Sequence, residues 1–373
     1  MHEATAATLR IDLGALVDYY WLIQHAAAPA AVAGVVKADA YGLGAVEISG
    51  AMFDAGCRHF FVAHLCEAMA LRPHLPPAAT LYVLNGLHPG AEAECAAIDV
   101  VPVLNSLEQV DAWSACARTL GRSLPAVLQV DTGMSRLGLM PQDATALAAQ
   151  PHRLDHVDLL LLMSHLACAD HPGDAFNQQQ WASFRAVADL FPGVPLSLDN
   201  SGGALAIRPD HGDLVRAGIA LYGGAPHDSA NPMRPVITLD AYIIQLRRVP
   251  AGTGVGYGLA HRCDRPSHIA TISVGYADGW PRNLGSVGGA FIDGVRAPIV
   301  GRVSMDSMTI DVTDVPDHLL YPGAPIELIG PHQSIDAVAT QAGTISYEIL
   351  TRLGHRYGRD YLPVPIAAST GAS

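Results

Sequence analysis

The stretch AVAGVVKADAYGLGAVEISGAMFDAGCRHFFV, residues 31–62, contains one complete instance of the pattern that decides the fold. It begins with the apolar run Ala31–Val36 and ends with a second apolar run, His59–Val62. Between them, Val46–Ala55 is amphipathic at a helical period. Two buried strands joined through a helix predict a parallel βαβ unit, because parallel strands need a long crossover connection.

The same alternation continues along residues 30–223. The predicted strands are Ala31–Val36, His59–Val62, Thr80–Leu84, Val100–Leu104, Ala126–Val130, Val157–Met163, Pro195–Leu198 and Asp213–Arg216. Helical stretches between them include Leu107–Leu120 and Ala175–Phe191. Eight such alternations predict an α/β fold, a (β/α)8 TIM barrel. An open doubly wound sheet is the alternative, but no GxGxxG follows the first strand to support it.

The character of the chain changes after a cluster of turn residues, Gly223–Pro235. The runs beyond it are short and β-rich: Ile237–Leu246, His268–Val274, Ala290–Ile292, Pro298–Val303, Met308–Val312 and Pro325–Ile329. Helical patterns return at Ile335–Ala342 and Ser346–Leu353. We predict a barrel domain over residues 1–233 and a mostly-β domain over residues 234–373. Residues 8–13 form a strand candidate, and about the first ten residues could pair with the β domain.

The composition indicates a cytoplasmic protein that binds neither nucleic acid nor membrane. The 373 residues carry 22 basic and 35 acidic side chains, a formal charge of −13, whereas phosphate-rich partners require clustered Lys and Arg. No uncharged apolar run reaches the length of a membrane span. The six cysteines include no CxxC pair, which is typical of reduced thiols.

Lys37 is the only lysine of the chain, and the other 21 basic residues are arginines. A primary amine can lose its proton and attack a carbonyl carbon, whereas a guanidinium stays protonated. One retained lysine is therefore consistent with a chemical need for an amine at this position. A compositional bias toward arginine, with one lysine left by chance, explains the count equally well.

Polar residues stand where the predicted barrel strands end, the edge at which such barrels carry their active sites. They are Lys37, Asp131, His165, Asn200, Ser201 and Arg216. A lone Asn or Asp at such a place is more often a loop residue, but six together predict a shared pocket. The neighbouring Cys168, Asp170 and His171 are of metal-ligand type, yet no second closely spaced pair accompanies them, so no metal site is predicted.

Eight short strings contain these residues and continue into the β-rich part. They are VVKADAYGLG (35–44), DTGMSRLG (131–138), SHLACAD (164–170), DNS (199–201), VRAGIALYG (215–223), VGYADGWPR (274–282), GRVSMD (301–306) and SYEIL (346–350). The series resembles the alanine racemase family, whose members use pyridoxal 5'-phosphate (PLP) and combine an N-terminal barrel with a C-terminal β domain. The resemblance spans nearly the whole chain.

The resemblance implies that Lys37 holds PLP covalently. The residues that it implies at the phosphate are Tyr41, Ser201, the backbone amides of Gly218 and Ile219, and Tyr347. It implies that Arg136 contacts the phenolic oxygen and that Arg216 contacts the ring nitrogen. His165 and Asn200 are the remaining cofactor-binding residues. Hydroxyl and main-chain N–H groups are suitable donors for a phosphate dianion.

The resemblance also implies two catalytic bases, Lys37 and Tyr276. Inverting an α-carbon requires that a proton leave one face and that another arrive on the opposite face, so two groups on opposite sides are needed. Met305 and Asp306, with Arg136, would line the substrate site. In the family the equivalents of Tyr276, Met305 and Asp306 come from the partner subunit, and a homodimer with shared active sites is expected.

Gln129 departs from the family pattern, because many members carry there a carbamylated lysine that positions the arginine after it. How firmly Arg136 is held therefore stays open. The expected reaction interconverts L- and D-alanine and supplies D-alanine for peptidoglycan; a serine or broad-specificity racemase of the same fold is the alternative. A PLP carrier without turnover is less favoured because Tyr276 offers a second base. A decarboxylase is less favoured because Arg216 stands where such enzymes use a carboxylate.

Overall fold

A computed structural model of the protein describes residues 5, 7–206, 210–228, 231 and 233–365. The chain separates into two compact units. The first, here called the barrel unit, comprises the described residues of Val17–Leu221 and Ala225–Asn231; the second, the β unit, comprises those of Met1–Leu16, Tyr222–Gly224 and Pro232–Ser373. Within the described part of the chain, no helix combines the length and the hydropathy that crossing a bilayer requires.

The strands and helices follow one another in an order that matches the two-part pattern of the sequence. The strands are β1 (Ala7–Asp12), β2 (Ala31–Val35), β3 (His59–Val62), β4 (Thr80–Val83), β5 (Val101–Leu104), β6 (Leu124–Gln129), β7 (Val157–Met163), β8 (Leu196–Ser197), β9 (Leu214–Ala217), β10 (Ile237–Val249), β11 (Gly254–Val255), β12 (His261–Arg262), β13 (Ser267–Ile272), β14 (Gly289–Ile292), β15 (Val295–Val300), β16 (Met308–Asp311), β17 (Pro325–Ile329) and β18 (Gly358–Leu362). The helices are α1 (Leu13–Ala26), α2 (Lys37–Gly42), α3 (Ala45–Asp54), α4 (Leu65–Leu71), α5 (Glu92–Ala97), α6 (Leu107–Leu120), α7 (Pro141–Ala148), α8 (Ala175–Ala188), α9 (Ser201–Leu205), α10 (Ile335–Ala342) and α11 (Ser346–Arg352).

Strands β2 to β9 form the parallel sheet of the barrel unit, in the order β8-β7-β6-β5-β4-β3-β2-β9. The two strands at the ends of this order meet, because the N–H of Asp213 donates to the carbonyl of Leu196 (2.8 Å). A second main-chain bond of the same kind joins the N–H of Arg216 to the carbonyl of Asp199 (2.9 Å). The (β/α)8 barrel prediction is therefore confirmed.

Helix α6 shows how the local sequence produces the outer layer of this barrel. It begins after Ser106, whose Oγ accepts the N–H of Gln109 (3.3 Å), and it ends at Gly121 in a left-handed conformation (φ 64°). An oxygen-bearing N-cap and a glycine at the end are the usual helix boundaries. Trp113, which is 1% exposed, fixes the inner face, and its Nε1 donates to the carbonyl of Pro125 (3.2 Å).

The β unit contains an eight-stranded sheet in the order β13-β16-β15-β14-β17-β10-β1-β18, with a further pairing of β13 with β10. Strand β1 pairs antiparallel with β10 and parallel with β18. Its Ala7, Leu9 and Ile11 are fully buried while the residues between them are partly exposed. This period of two is what a strand with one buried face requires.

One strand of the β unit begins and ends three residues earlier in the structure than the sequence predicts. The apolar run Pro298–Val303 is β15, Val295–Val300, because the chain turns at Gly301 (φ 75°). A Cβ at Gly301 would come within 2.9 Å of the carbonyl oxygen of Val255, so the turn there requires glycine. The turn releases the GRVSMD string from the sheet as a loop.

Candidate active site

Lys37 follows β2 and precedes a turn of left-handed backbone. The four residues Ala38–Tyr41 have φ between 51° and 58° and ψ between 34° and 52°. Left-handed backbone costs about 1–2 kcal/mol per residue for an L-amino acid other than glycine. Four such residues in a row, none of them glycine, therefore need strong support from the surrounding structure.

The carboxylate of Glu67 on α4 supplies part of that support. Its Oε1 accepts the N–H of Ala38 (2.6 Å), and its Oε2 accepts the N–H groups of Ala63 (2.7 Å) and His64 (2.9 Å). At the other end of the turn, Asp39 Oδ1 accepts the N–H of Ala45 (2.8 Å). The ends of β2 and β3 are thus tied together directly beside the lysine.

The pKa of the Lys37 amine is lowered from its ordinary value. Burial is the main cause, the positive charge of Arg136 is the next, Glu67 opposes the effect, and Arg216 adds to it. Burial disfavours an ammonium ion, and nearby cations do the same. The shift increases the neutral fraction of the amine, which is the form that can attack a carbonyl carbon or accept a proton.

The end of β9 forms a compact polar turn with Tyr41 and Ser201. Ser201 Oγ accepts the N–H groups of Gly218 (2.8 Å) and Ala220 (3.4 Å). A Cβ at residue 218 would lie 2.5 Å from the hydroxyl oxygen of Tyr41, so a side chain there would have to displace that hydroxyl. Ile219, between the two donors, is 1% exposed. These two hydroxyls and the adjacent main chain suit a phosphate better than a cation.

Asn200 caps the short helix α9, since its Oδ1 accepts the N–H of Gly203 (3.1 Å). This bond holds Ser201 at the first position of the helix.

Arg216 lies inside β9 and is almost completely buried (3% exposed). Its guanidinium donates to neutral acceptors: Ser197 Oγ, the carbonyls of Ser164 (2.6 Å) and Leu198 (3.2 Å), and, at 3.3 Å, His165 Nδ1. Burial lowers the pKa of Arg216 to about 10, with Asp199 acting in the opposite direction. The group is still protonated at neutral pH.

His165 is held as a neutral imidazole by the same environment. Burial, and then the charges of Arg216, Arg136 and Lys37, lower its pKa well below the ordinary value. A neutral ring can accept the Arg216 hydrogen bond at Nδ1, which an imidazolium cannot. Lys37 and Arg216 both lie close enough to His165 for their charges to lower its pKa, so the structure places these three residues near one another.

A buried carboxylate–imidazole pair lies next to the strand residues of this cluster. Asp199 is fully buried and its Oδ2 is 2.7 Å from Nδ1 of His211, which is 6% exposed. The pair satisfies two groups that would otherwise be costly to bury. Sequence reasoning did not identify His211, because an isolated histidine in a loop carries no motif.

The Asp131 side chain accepts hydrogen bonds from the main chain of the DTGMSRLG loop and so fixes its conformation. Its Oδ1 accepts the N–H groups of Gly133 (2.8 Å) and Met134 (2.9 Å), and its Oδ2 accepts that of Arg136 (3.2 Å). Gln129, which is 5% exposed, donates from Nε2 to the carbonyl of Leu137 (3.2 Å). Both side chains therefore hold the backbone on either side of Arg136, whose own side chain is exposed.

The remaining predicted site residues belong to the β unit. Tyr276, Met305 and Tyr347 are 42%, 53% and 42% exposed, and Asp306 is exposed as well. The N–H of Tyr276 donates to the carbonyl of Ser304 (3.0 Å), so the first two strings of this unit lie side by side. The predicted site therefore consists of two groups of residues, one in each unit.

The residues of metal-ligand type in and directly after the SHLACAD string do not form one cluster. His165 contacts Arg216, whereas Nδ1 of His171 is 2.9 Å from a carboxylate oxygen of Asp228. Asp170, His171 and Asp228 are all exposed and close to one another. Exposed groups of this kind pair with each other without requiring an ion.

Comparison with known proteins extends over both units. Residues 11–226 match the alanine racemase N-terminal domain and residues 236–361 match the alanine racemase C-terminal domain. A catabolic alanine racemase of Agrobacterium fabrum is 50% identical over 366 residues, which cover 98% of this chain and 94% of that protein. An alanine racemase of Brucella abortus is 50% identical over 375 residues, covering 97% and 95%.

Solved structures give the same result. The alanine racemase of Bartonella henselae with covalently bound pyridoxal phosphate has a TM-score of 0.92 and 41% identity, covering 96% of this chain and 99% of that one. The biosynthetic alanine racemase of Pseudomonas aeruginosa has a TM-score of 0.89 and 36% identity, covering 96% and 100%. The chain belongs to the alanine racemase family.

Proposed function

We propose that the protein is a PLP-dependent alanine racemase in which Lys37 and Tyr276 remove and return the α-proton on opposite faces of alanine. The observation that carries this proposal is the placement of the only lysine, with a lowered pKa, in the same unit as the Tyr41–Gly218–Ser201 turn and the buried Arg216. The names of the relatives, alanine racemases at about half identity over nearly the full length, support alanine as the substrate.

The residues present fit PLP. Lys37 would hold the cofactor covalently, and Tyr41, Ser201, the main chain at Gly218 and Ile219, and Tyr347 would hold its phosphate. When bound, PLP withdraws electrons from an attached amino acid and so makes its α-C–H bond acidic. The phosphate side fits because the hydroxyls of Tyr41 and Ser201 both lie against the main chain at Gly218.

Arg216 would donate a hydrogen bond to the ring nitrogen of the cofactor. Because a guanidinium keeps its proton at neutral pH, a ring nitrogen facing it would accept a bond and stay neutral. Neutral His165 accepts a hydrogen bond from the same guanidinium. A neutral ring would withdraw fewer electrons, which would favour returning the proton over decarboxylation or transamination. Arg136 would contact the phenolic oxygen and, with Met305 and Asp306, the substrate.

Lys37 Nζ and Tyr276 Oη are the two proton-transfer atoms of the proposal. The lowered pKa of the amine increases the fraction that is neutral and able to accept a proton. Tyr276 Oη would exchange a proton on the opposite face, and this residue is exposed, so a second molecule can reach it. We infer a homodimer in which Tyr276, Met305 and Asp306 complete the site of the partner subunit.

The proposed setting is cytoplasmic supply of D-alanine for peptidoglycan. All six cysteines are free thiols, which agrees with a reducing compartment. Two relatives are named catabolic alanine racemases, and they favour a second role, the conversion of alanine for degradation. We also propose a domain boundary between residues 233 and 234, which the two family matches, ending at 226 and starting at 236, support.

The test is incubation of the PLP-loaded protein with L-alanine, L-serine and L-arginine in deuterated water. We expect D-alanine with deuterium at the α-carbon, and little product from the other two. Comparable rates with L-serine would favour the broad-specificity alternative. Lys37→Ala should lose both the covalent pyridoxyl adduct trapped by borohydride and the racemisation; retention of the adduct would contradict the cofactor assignment.

A further inference from the structure

Arg356 joins two carboxylates that belong to different strings of the β unit. Its Nε donates to Asp278 Oδ1 (2.6 Å), and one of its terminal nitrogens donates to Asp306 Oδ1 (2.7 Å). Asp278 belongs to the VGYADGWPR string and Asp306 to the GRVSMD string. Arg356 itself stands after α11, outside every string that the sequence analysis identified.

Asp278 connects this guanidinium to the backbone around Tyr276. The side chain is 3% exposed, and its Oδ2 accepts the N–H of Gly275 (2.9 Å). Its main-chain carbonyl accepts the N–H of Gly354 (3.0 Å), two residues before Arg356. The turn that carries Tyr276 is therefore held at Gly275, directly before Tyr276, and at Asp278, two residues after it.

The Tyr276 turn and the Met305 loop are also in direct main-chain contact. The N–H of Ala277 donates to the carbonyl of Met305 (2.9 Å). A Cβ at Gly275 would come within 2.3 Å of that same oxygen, so the two segments pack at the closest distance that glycine allows. A small displacement of one segment must therefore displace the other.

The chemistry of the three charged groups explains why arginine stands at 356. A buried carboxylate needs a counter-charge, and Arg356 provides it for Asp278. A planar guanidinium presents separate donors in fixed directions, so it can serve Asp278 and Asp306 at once. The ammonium of lysine is a single point on a flexible stem and cannot reproduce both directions.

We propose that Arg356 is a positioning residue for racemisation, which through Asp278 and Asp306 holds the Tyr276 phenol and the Met305–Asp306 loop in a fixed mutual arrangement. This inference rests on the proposed function, because Arg356 would position Tyr276, which is one of the two proposed proton-transfer groups. Lys37 lies in the other unit, and none of these bonds reaches it. Misplacement of a reacting group by about 1 Å costs up to about 100-fold in rate.

The experiment compares the PLP-loaded wild type with Arg356→Lys. Racemisation of α-deuterated L-alanine and α-deuterated D-alanine is measured separately, and the primary kinetic isotope effect is determined for each enantiomer. We expect kcat/KM to fall about 10- to 100-fold. Because only the proton transfer at Tyr276 is slowed, the isotope effect should rise for the enantiomer whose proton goes to Tyr276 and fall for the other. The absorbance of the bound cofactor should not change.

Isotope effects distinguish positioning from a loss of folded protein, because a smaller active fraction lowers both rates and leaves both isotope effects as they were. Arg248→Lys is the matched control, since Arg248 pairs with exposed Asp317 (2.9 and 3.0 Å) in the same unit and touches no site string. Asp306→Asn weakens the outer bond by removing the charge of its acceptor and keeps the buried pair. In this variant too, the isotope effect should rise for the enantiomer whose proton goes to Tyr276 and fall for the other, but by smaller amounts than in Arg356→Lys.

Isotope effects that stay unchanged or move together in Arg356→Lys would overturn the inference, as would equal changes in Arg248→Lys. If Arg356→Lys does not fold, Asp306→Asn decides by the same criterion. Absence of racemisation in the wild type would instead contradict the proposed function, so the two failures are distinguishable.

Discussion

The carboxylate of Glu67 accepts the main-chain N–H of Ala38 at 2.6 Å, directly after the only lysine of the protein. This bond fixes the first residue of the left-handed turn Ala38–Tyr41, which connects Lys37 to the hydroxyl of Tyr41. The two residues proposed to hold opposite ends of the cofactor are therefore related through a strained backbone that Glu67 stabilises.

Replacing Glu67 with Gln should weaken PLP binding. The amide of Gln presents an NH2 group where Glu67 accepts N–H bonds, so at least one bond to Ala38, Ala63 or His64 is lost. A bond to a charged acceptor contributes about 1.5–3 kcal/mol, and we expect the dissociation constant of PLP to rise about 10-fold or more. Fluorescence titration of the apoprotein measures it. Glu47→Gln on the exposed face of α3 is the control, and equal affinities in all three proteins would refute this role.

Gly218→Ala should weaken PLP binding by blocking the phosphate side of the site. The added methyl group would lie 2.5 Å from the hydroxyl oxygen of Tyr41 and must displace it. Overpacking costs about 1–3 kcal/mol, so the dissociation constant should rise about 5- to 150-fold. Gly50→Ala in α3 has no atom within 4 Å of the new Cβ and should leave the affinity unchanged. Tight binding by Gly218→Ala would contradict the assignment.

The stability of the protein should depend on pH through His165. Its pKa is well below the ordinary value in the folded chain, whereas an unfolded histidine titrates near 6.5. Below that pH the unfolded chain binds more protons, so the stabilisation is complete above about 6.5 and is lost as the pH falls. The free energy of unfolding of the wild type should decrease more steeply between pH 7 and 5 than that of His165→Asn, measured by urea denaturation. Parallel curves would mean that His165 titrates alike in the folded and the unfolded chain, which would contradict the lowered pKa.

His211→Ala should destabilise the barrel unit strongly, because it leaves the fully buried Asp199 without its imidazole partner. Leaving a buried carboxyl group without one of its hydrogen-bond partners costs about 1–3 kcal/mol. The exposed pair of Arg185 and Asp210 provides the control, and Asp210→Asn should cost about 1 kcal/mol or less. Urea unfolding of both variants gives the comparison. Similar small losses in the two would mean that the other contacts of Asp199 suffice.

Much of the fold could be predicted because its signals are local. The runs that became β3, β17, α6 and α10 have the predicted bounds, since strand and helix periods are visible within a few residues. Helix α2 was not predicted, because nothing in the residues 38–41 indicates that non-glycine residues will adopt left-handed backbone. That conformation is imposed by neighbours that lie elsewhere along the chain.

Contiguous residues were enough to predict the barrel of parallel strands, the family, and Lys37 as the candidate amine, because periodicity, strings and composition are local properties. The tertiary structure decided which groups support the site. Glu67 is 29 residues from Ala38, and Arg356 is 78 residues from Asp278 and 50 from Asp306. Such bonds form only after folding has brought distant segments of the chain together. A buried carboxylate or a strained turn then needs hydrogen-bond partners, and these come from the neighbouring segments.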